Sequence, residues 1–174
     1  SVAVIGIGVS NTPLIRRLCS EGIDVTACDK RTVEELGDLA AELTALGAKL
    51  QLGGDYLDHL TQDVIFRTPG LRHDVPQLKA AVERGAVLTS EMEVFFEVCP
   101  CPIIAVTGSD GKTTTTTIIA KLLEKAGYTV HLGGNIGNPL LCEADDMRVT
   151  DLTVLELSSF QLMTMTHSAH VAVI

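Results

Sequence analysis

The residues best placed to do chemistry lie in one run, Gly108-Ser109-Asp110-Gly111-Lys112-Thr113-Thr114. It is entered directly from the apolar stretch Ile103-Ile104-Ala105-Val106. A buried strand, a Gly-rich turn and a helix start in that order form an anion cradle. Backbone N–H groups at the helix start point at the ligand, and the helix dipole favours negative charge there. Gly108 and Gly111 carry no Cβ, so the backbone can approach a phosphate closely. Lys112 can reach terminal phosphates, and the Thr113 hydroxyl can serve Mg²⁺. The general phosphate loop has four residues between its glycines, whereas here there are two, so this is a short P-loop. Its predicted ligand is ATP or another nucleoside triphosphate, bound by Gly108 to Thr114.

A second candidate lies downstream. Leu152-Thr153-Val154-Leu155-Glu156-Leu157 reads as a strand with one carboxylate near its end. An unpaired buried carboxylate is costly. Glu156 is therefore expected to act as the acidic Mg²⁺ partner of Thr113, and Lys112 and Glu156 are the candidate catalytic residues. Between loop and carboxylate, Gly133-Gly134-Asn135-Ile136-Gly137-Asn138-Pro139 combines three glycines with two amides, a loop suited to a ligand.

The chain that must position these groups has 174 residues, room for one large or two small domains. Hydrophobic residues make up 46% and aromatic ones 3%, so the core must be aliphatic. Alternating aliphatic strands and Ala/Leu/Glu-rich helices predict an α/β fold. The net charge of −9 argues against a broad nucleic-acid surface. No apolar run reaches the ~18 residues of a membrane span, and the N-terminus lacks the basic start of a signal peptide. Five cysteines are expected to be free thiols, because the single residue inside Cys99-Pro100-Cys101 is too short a spacing for a usual zinc pair. The start without Met and the apolar end Val171-Ala172-Val173-Ile174 suggest a piece of a longer protein.

The chain opens with a predicted strand, Val2-Ala3-Val4-Ile5, then the turn Gly6-Ile7-Gly8-Val9-Ser10-Asn11 and a helix from Thr12 to Cys19. A strand ending in Asp29-Lys30-Arg31 follows. This is the start of a Rossmann-like unit, except that Asn11 stands where the third glycine of G-x-G-x-x-G would be. Asp29, at a strand end, could meet a ribose hydroxyl or cap a helix. Periodicity predicts a helix over 32–46, a strand over 49–52, a short helix near Leu57 and Leu60, and a strand over 63–67 broken by Thr68-Pro69-Gly70. That break falls where open α/β sheets place ligands. A helix from Val75, a strand over 86–89 and a helix after Ser90 complete residues 1–99. Cys99-Pro100-Cys101-Pro102 cannot continue a helix, so the boundary between the two domains is expected there. In the second domain, residues 100–174, a helix follows the P-loop with Ile118, Ile119, Leu122 and Leu123 as its expected buried stripe. His131 is expected to be a sheet residue, and His167 and His170 surface or strand-entry residues.

The string Thr107 to Thr114 resembles the ATP loop of the Mur ligases and their folylpolyglutamate synthetase relatives. Gly133-Gly134-Asn135-Ile136-Gly137 and Leu155-Glu156-Leu157-Ser158-Ser159-Phe160-Gln161-Leu162 narrow the resemblance. They point to the branch of that family that adds D-glutamate to UDP-N-acetylmuramoyl-L-alanine in bacterial peptidoglycan synthesis. The resemblance implies a cytoplasmic ATP- and Mg²⁺-dependent ligase working through an acyl phosphate, with no nucleic-acid or membrane partner. It implies a Rossmann-like UDP-substrate domain over 1–99 and the first part of a P-loop ATPase domain over 100–174. A C-terminal domain, a metal-binding His, a carbamylated Lys and the D-glutamate site would lie beyond Ile174, leaving the fragment inactive alone. By motif position, Gly8, Val9, Ser10, Asn11, Asp29, Lys30 and Arg31 would hold UDP. Thr68, Pro69 and Gly70 would line the diphosphate-sugar path. Asn135, Ser158 and Ser159 would meet the muramoyl substrate. The residues alone leave three alternatives open: a sister ligase using another amino acid, a non-catalytic dinucleotide-binding module, and a regulatory P-loop NTPase.

Overall fold

The computed structural model describes residues 1–136 and 139–174 and divides into two compact units, Ser1–Glu91 and Met92–Ile174. In the first unit, strands β1 (Val2–Ile5), β2 (Val25–Asp29), β3 (Lys49–Leu52), β4 (Val64–Arg67) and β5 (Val87–Thr89) form one sheet in the order β3-β2-β1-β4-β5. Every pairing is parallel. All four residues of β1 and all five of β2 are buried, as their nearly unbroken apolar sequence requires of parallel strands covered on both faces. The chain adds β2 and β3 on one side of β1, then β4 and β5 on the other. That reversal places a topological switch point at the carboxyl ends of β1 and β4, where such sheets bind ligands.

Helices α1 (Asn11–Ser20), α2 (Val33–Leu36), α3 (Asp38–Ala45) and α4 (Pro76–Glu83) connect these strands. Leu14 and Ile15 of α1, Leu43 of α3, and Leu78 and Ala81 of α4 are buried. The single helix expected over 32–46 is two. Gly37 closes α2 and precedes α3 with φ 57° and ψ −130°, a conformation outside the helical region. No helix forms near Leu57 and Leu60, where residues 54–59 make successive turns. Gln51 Nε2 takes the carbonyls of Tyr56, at 3.0 Å, and Asp58, and His59 adopts φ 61°, so helical hydrogen bonding cannot propagate.

The second unit begins at the second residue of helix α5 (Glu91–Val98), which is followed by β6 (Ile103–Val106), α6 (Lys112–Lys125), β7 (Val130–Gly134), a 3-10 segment (Leu140–Asp146), β8 (Leu152–Glu156), α7 (Ser159–Leu162) and β9 (Val171–Val173). Its sheet is also wholly parallel, in the order β7-β8-β6-β9. Helix α6 packs on β6, β7 and β8. The stripe expected to be buried on α6 is only partly so, because Ile118 is 52% and Leu122 61% exposed. Thr116 and Ala120 are the buried positions instead. Thr116 tolerates full burial because its hydroxyl donates to the Lys112 carbonyl at 2.7 Å. Among the described residues no helix is long and apolar enough to cross a membrane.

These burials separate two leucines of similar appearance in sequence. Leu78→Ala should cost about 2–5 kcal/mol of unfolding free energy, and Leu122→Ala less than about 0.5 kcal/mol, measured by urea denaturation. Equal costs would contradict the burial pattern.

Candidate functional site

The first unit carries a cavity of about 270 Å³ at its switch point, lined by Ile5, Gly6, Asp29, Lys30, Tyr56, Thr68, Gly70 and Leu71. Its walls are the carboxyl ends of β1, β2 and β4, brought together by parallel pairing. Asp29 is the organising group and is 5% exposed. Its Oδ2 accepts from the Ile7 N–H at 2.7 Å and from Arg31 Nη2 at 2.8 Å. Its Oδ1 accepts from Arg31 N and Nε, each at 3.0 Å. Arg31 Nη2 also donates to the Ile7 carbonyl. Burial opposes the charge on Asp29, but the Arg31 guanidinium and the two backbone N–H donors outweigh it and hold the carboxyl below its ordinary value.

Asn11 is buried and its Nδ2 donates to the carbonyls of Ile5, at 3.0 Å, and Gly6, at 3.1 Å. It thus satisfies the end of β1 from the first turn of α1, a task a third glycine could not perform. Gly6 adopts φ +90°, and a Cβ there would sit 3.0 Å from the Thr68 Cβ, so the strand ends close tightly. Gly8, Val9 and Ser10 are exposed and lie outside the cavity lining.

The lining also includes Ile5, Gly6, Tyr56 and Leu71, which the sequence-based site left out, and Arg67, likewise left out, braces the turn that follows β4. Tyr56 lines the cavity from the turn after β3. Arg67 is 4% exposed, and its Nη1 donates to the carbonyls of Thr68 at 3.2 Å, Pro69 at 3.3 Å, and Leu71. Removal from water pulls the Arg67 pKa below its ordinary value, consistent with a guanidinium held inside the Thr68–Leu71 turn. A charge ending the apolar run Val64-Ile65-Phe66-Arg67 was the available signal, the same one that singles out Glu156.

In the second unit the short P-loop joins β6 to α6. Gly108 has φ 138° and Gly111 φ 76°, positions that favour glycine. Lys112 opens α6 and turns its Nζ back over the loop, donating to the carbonyls of Gly108 at 2.9 Å and Ser109 at 3.0 Å. Ser109, Asp110, Thr113 and Thr114 are exposed around it.

Glu156 ends β8, next to the end of β6 through the pairing of Val106 with Glu156. It is 3% exposed. Its Oε2 accepts from the Thr113 hydroxyl at 2.6 Å and its Oε1 from Asn135 Nδ2 at 3.2 Å. The Asn135 N–H also donates to the Glu156 carbonyl at 2.8 Å. Three separated sequence features, the P-loop threonine, the Gly-Gly-Asn loop and the strand carboxylate, thus converge on one point. Gly134 permits it, because a Cβ there would lie 2.2 Å from the Glu156 carbonyl oxygen. Gly137 and Asn138 of that loop lie outside the described residues.

Ser158 is the N-cap of α7. Its hydroxyl accepts from the Gln161 N–H at 3.3 Å, while its N–H donates to Gln161 Oε1 at 2.9 Å, a reciprocal capping box. Ser159 is exposed. His131 lies in β7 and its Nε2 sits 3.0 Å from Asp151 Oδ2; His170 Nδ1 accepts from the Ile103 N–H at 3.0 Å. His167 is on the surface, 3.3 Å from Glu93 Oε1.

A parallel α/β unit in which a Gly-rich strand-to-helix loop, a helix-borne hydroxyl and a carboxylate on the adjacent strand meet has the layout of a P-loop fold. Residues 106–174 match the Mur ligase middle domain. It is 60% identical over 99% of its length to the UDP-N-acetylmuramoylalanine–D-glutamate ligase of Ruminiclostridium cellulolyticum, and 55% identical to that of Acetivibrio thermocellus. The chain spans 37% of each of those relatives. The UDP-N-acetylmuramate–alanine ligase of Thermotoga maritima shares the fold, at 22% identity and a TM-score of 0.50 over 91% of this chain and 37% of that one.

Two outcomes follow from this geometry. Stability contributed by ionised Asp29 is complete above the ordinary carboxylate range near pH ~4 and is lost as pH falls through the lowered folded value. Asp29→Asn should cost about 1–3 kcal/mol at neutral pH and flatten the acid limb of a stability-against-pH curve; an unchanged limb would contradict the cluster. Gly134→Ala should destabilise the second unit by about 3 kcal/mol or more, read by thermal unfolding.

Proposed function

We propose that this chain is the substrate-binding and phosphate-loop portion of an ATP-dependent ligase that joins D-glutamate to UDP-N-acetylmuramoyl-L-alanine. In this reading residues 1–99 hold the UDP moiety and residues 100–174 begin the ATP-binding domain of a cytoplasmic enzyme of peptidoglycan synthesis. The observation that carries it is the convergence of Thr113, Asn135 and Glu156 beside the short P-loop.

Each residue then has a task. Asp29 and Arg31 hold the loop after β1 in shape beside the cavity, and Asp29, Lys30, Thr68 and Gly70 present it to the uridine diphosphate. The P-loop N–H groups at the start of α6 receive the ATP phosphates. Lys112, already folded over the loop, faces the β- and γ-phosphates and stabilises charge as the L-alanyl carboxylate attacks the γ-phosphorus, the bond from that phosphorus to the bridging oxygen breaks and ADP leaves. The resulting acyl phosphate is attacked by the amine of D-glutamate, and phosphate leaves. Thr113 and Glu156 offer two hard oxygen donors, which suits Mg²⁺ held partly by substrate phosphates. When bound, that ion neutralises charge on the transferring phosphoryl group. Asn135 orients the Glu156 carboxylate and stands where the muramoyl group would arrive. Ser158 contributes by capping α7, and with Ser159 borders the same end of β8.

In the full-length protein, Lys112→Ala should lower kcat for ligation at least about 100-fold while leaving UDP-substrate affinity within a few-fold. Phosphate release assayed with a panel of amino acids, alongside titration of the UDP-substrate, checks both parts. Retained ligation would remove the P-loop assignment, and preference for another amino acid would move the protein to a sister activity.

A further inference from the structure

Cys99 and Cys101 leave α5 and enter β6 with Pro100 between them. Their sulfurs lie 3.6 Å apart. Both approach the Thr153 hydroxyl on β8, Cys101 at 3.1 Å and Cys99 at 3.6 Å. The Cys99 thiol also donates to the Cys101 carbonyl at 3.5 Å. Neighbouring backbone bonds pin the segment: Cys99 N–H donates to Phe95 at 2.9 Å, and Thr153 N–H to Pro102 at 3.0 Å. Pro100 fixes its own φ and restricts Cys99, which limits how far the two thiols can part. Cys99 is half-buried and Cys101 is 2% exposed; both are free thiols. A disulfide needs sulfurs ~2.05 Å apart, so closure requires an approach of about 1.5 Å, within reach of side-chain rotation and a small backbone adjustment.

We propose that Cys99-Pro100-Cys101 is a dithiol exchange site that closes reversibly to a Cys99–Cys101 disulfide when it meets a low-molecular-weight disulfide of the glutathione class. Cys99, the accessible thiol, attacks as its thiolate on one sulfur of the external disulfide. That S–S bond breaks, a mixed disulfide forms on Cys99, and the first small thiol leaves and takes up a proton. Cys101 then attacks the Cys99 sulfur, the mixed disulfide breaks, and the second small thiol leaves with the proton Cys101 gives up. Two protein thiols are oxidised and one external disulfide is reduced to two thiols.

The order of attack follows from burial. Removal from water pushes the Cys101 thiol up to about 11, with the Thr153 hydroxyl bond pulling the other way and Cys99 and the Asp151 carboxylate adding to the rise. Cys101 is therefore a poor first nucleophile, but it is held beside the sulfur it has to resolve. Thr153 keeps both sulfurs on one side of β8. The site lies at the opposite ends of β6 and β8 from the P-loop and Glu156, so its chemistry is separable from the ligase reading.

The test uses the 174-residue chain equilibrated in mixtures of reduced and oxidised glutathione, quenched with acid, alkylated, digested and weighed. The peptide carrying residues 99–101 should lose two hydrogens and carry no glutathione, and should regain them with excess reduced glutathione. Cys101→Ser should stop at glutathione on Cys99, and Cys99→Ser should leave Cys101 unmodified. Accumulation of glutathione on Cys99 in the parent chain without closure overturns the proposal, as does pairing of either cysteine with Cys19, Cys28 or Cys142. The parent chain alone can refute it, so the outcome does not depend on either variant folding.

Discussion

A buried carboxylate has to be satisfied where it stands, and in this protein that requirement falls on Glu156. Alone at the end of an apolar strand it would be strongly destabilising. The Thr113 hydroxyl and the Asn135 amide each donate to one of its oxygens. These donors come from the helix after β6 and the loop after β7, so satisfying one side chain fixes the mutual placement of three connections. The parallel register that sets Glu156 beside Val106 and Gly134 makes this possible, and the missing Cβ of Gly134 leaves room for it. An acidic oxygen thereby meets the first turn of α6.

The first unit solves the same problem with a different cast. Parallel strands end with carbonyl and N–H groups that no ladder satisfies, and the sheet leaves a crevice there. Asp29 collects the N–H groups of Ile7 and Arg31, Asn11 takes the carbonyls of Ile5 and Gly6, and Arg67 takes those of the Thr68–Leu71 turn. Each is a polar side chain reaching a strand end or the turn after it, and its burial is made tolerable by backbone partners. Together they hold open a cavity whose lining is partly charged and partly apolar. Asp29 illustrates why such residues resist a single-role description, because the residue that lines the cavity also organises the loop beside it.

Much of this architecture was legible in the sequence. Unbroken aliphatic runs marked the central strands, and a Gly-rich turn running into Lys112 and Thr113 marked the connection from β6 to α6. The parts that were not legible share a cause. Gly37 divides a helix whose leucine spacing is continuous, because its φ of 57° and ψ of −130° lie outside the helical region, which the spacing of apolar residues does not report. Gln51 suppresses a helix near Leu57 by taking the Tyr56 and Asp58 carbonyls across a turn. Thr116 is buried where Ile118 was the natural candidate, its hydroxyl satisfied by the Lys112 carbonyl one turn back. Ser158, read as a ligand contact from its motif, also caps a helix through Gln161, a pattern visible as Ser-x-x-Gln.

The sequence by itself determined most of the strands and helices, the parallel α/β class, the Gly-rich turn between β6 and α6 and the lone carboxylate at the end of β8. These follow from local chemistry: hydrophobic period, glycine and proline punctuation, and the cost of one carboxylate in an apolar strand. Tertiary structure alone decided which groups touch. It joined Thr113, Asn135 and Glu156, assigned Arg67 to the Thr68–Leu71 turn, brought Tyr56 to the cavity and set Cys99 and Cys101 against Thr153. Those contacts depend on strand order and register, which are properties of long-range pairing that no local window contains.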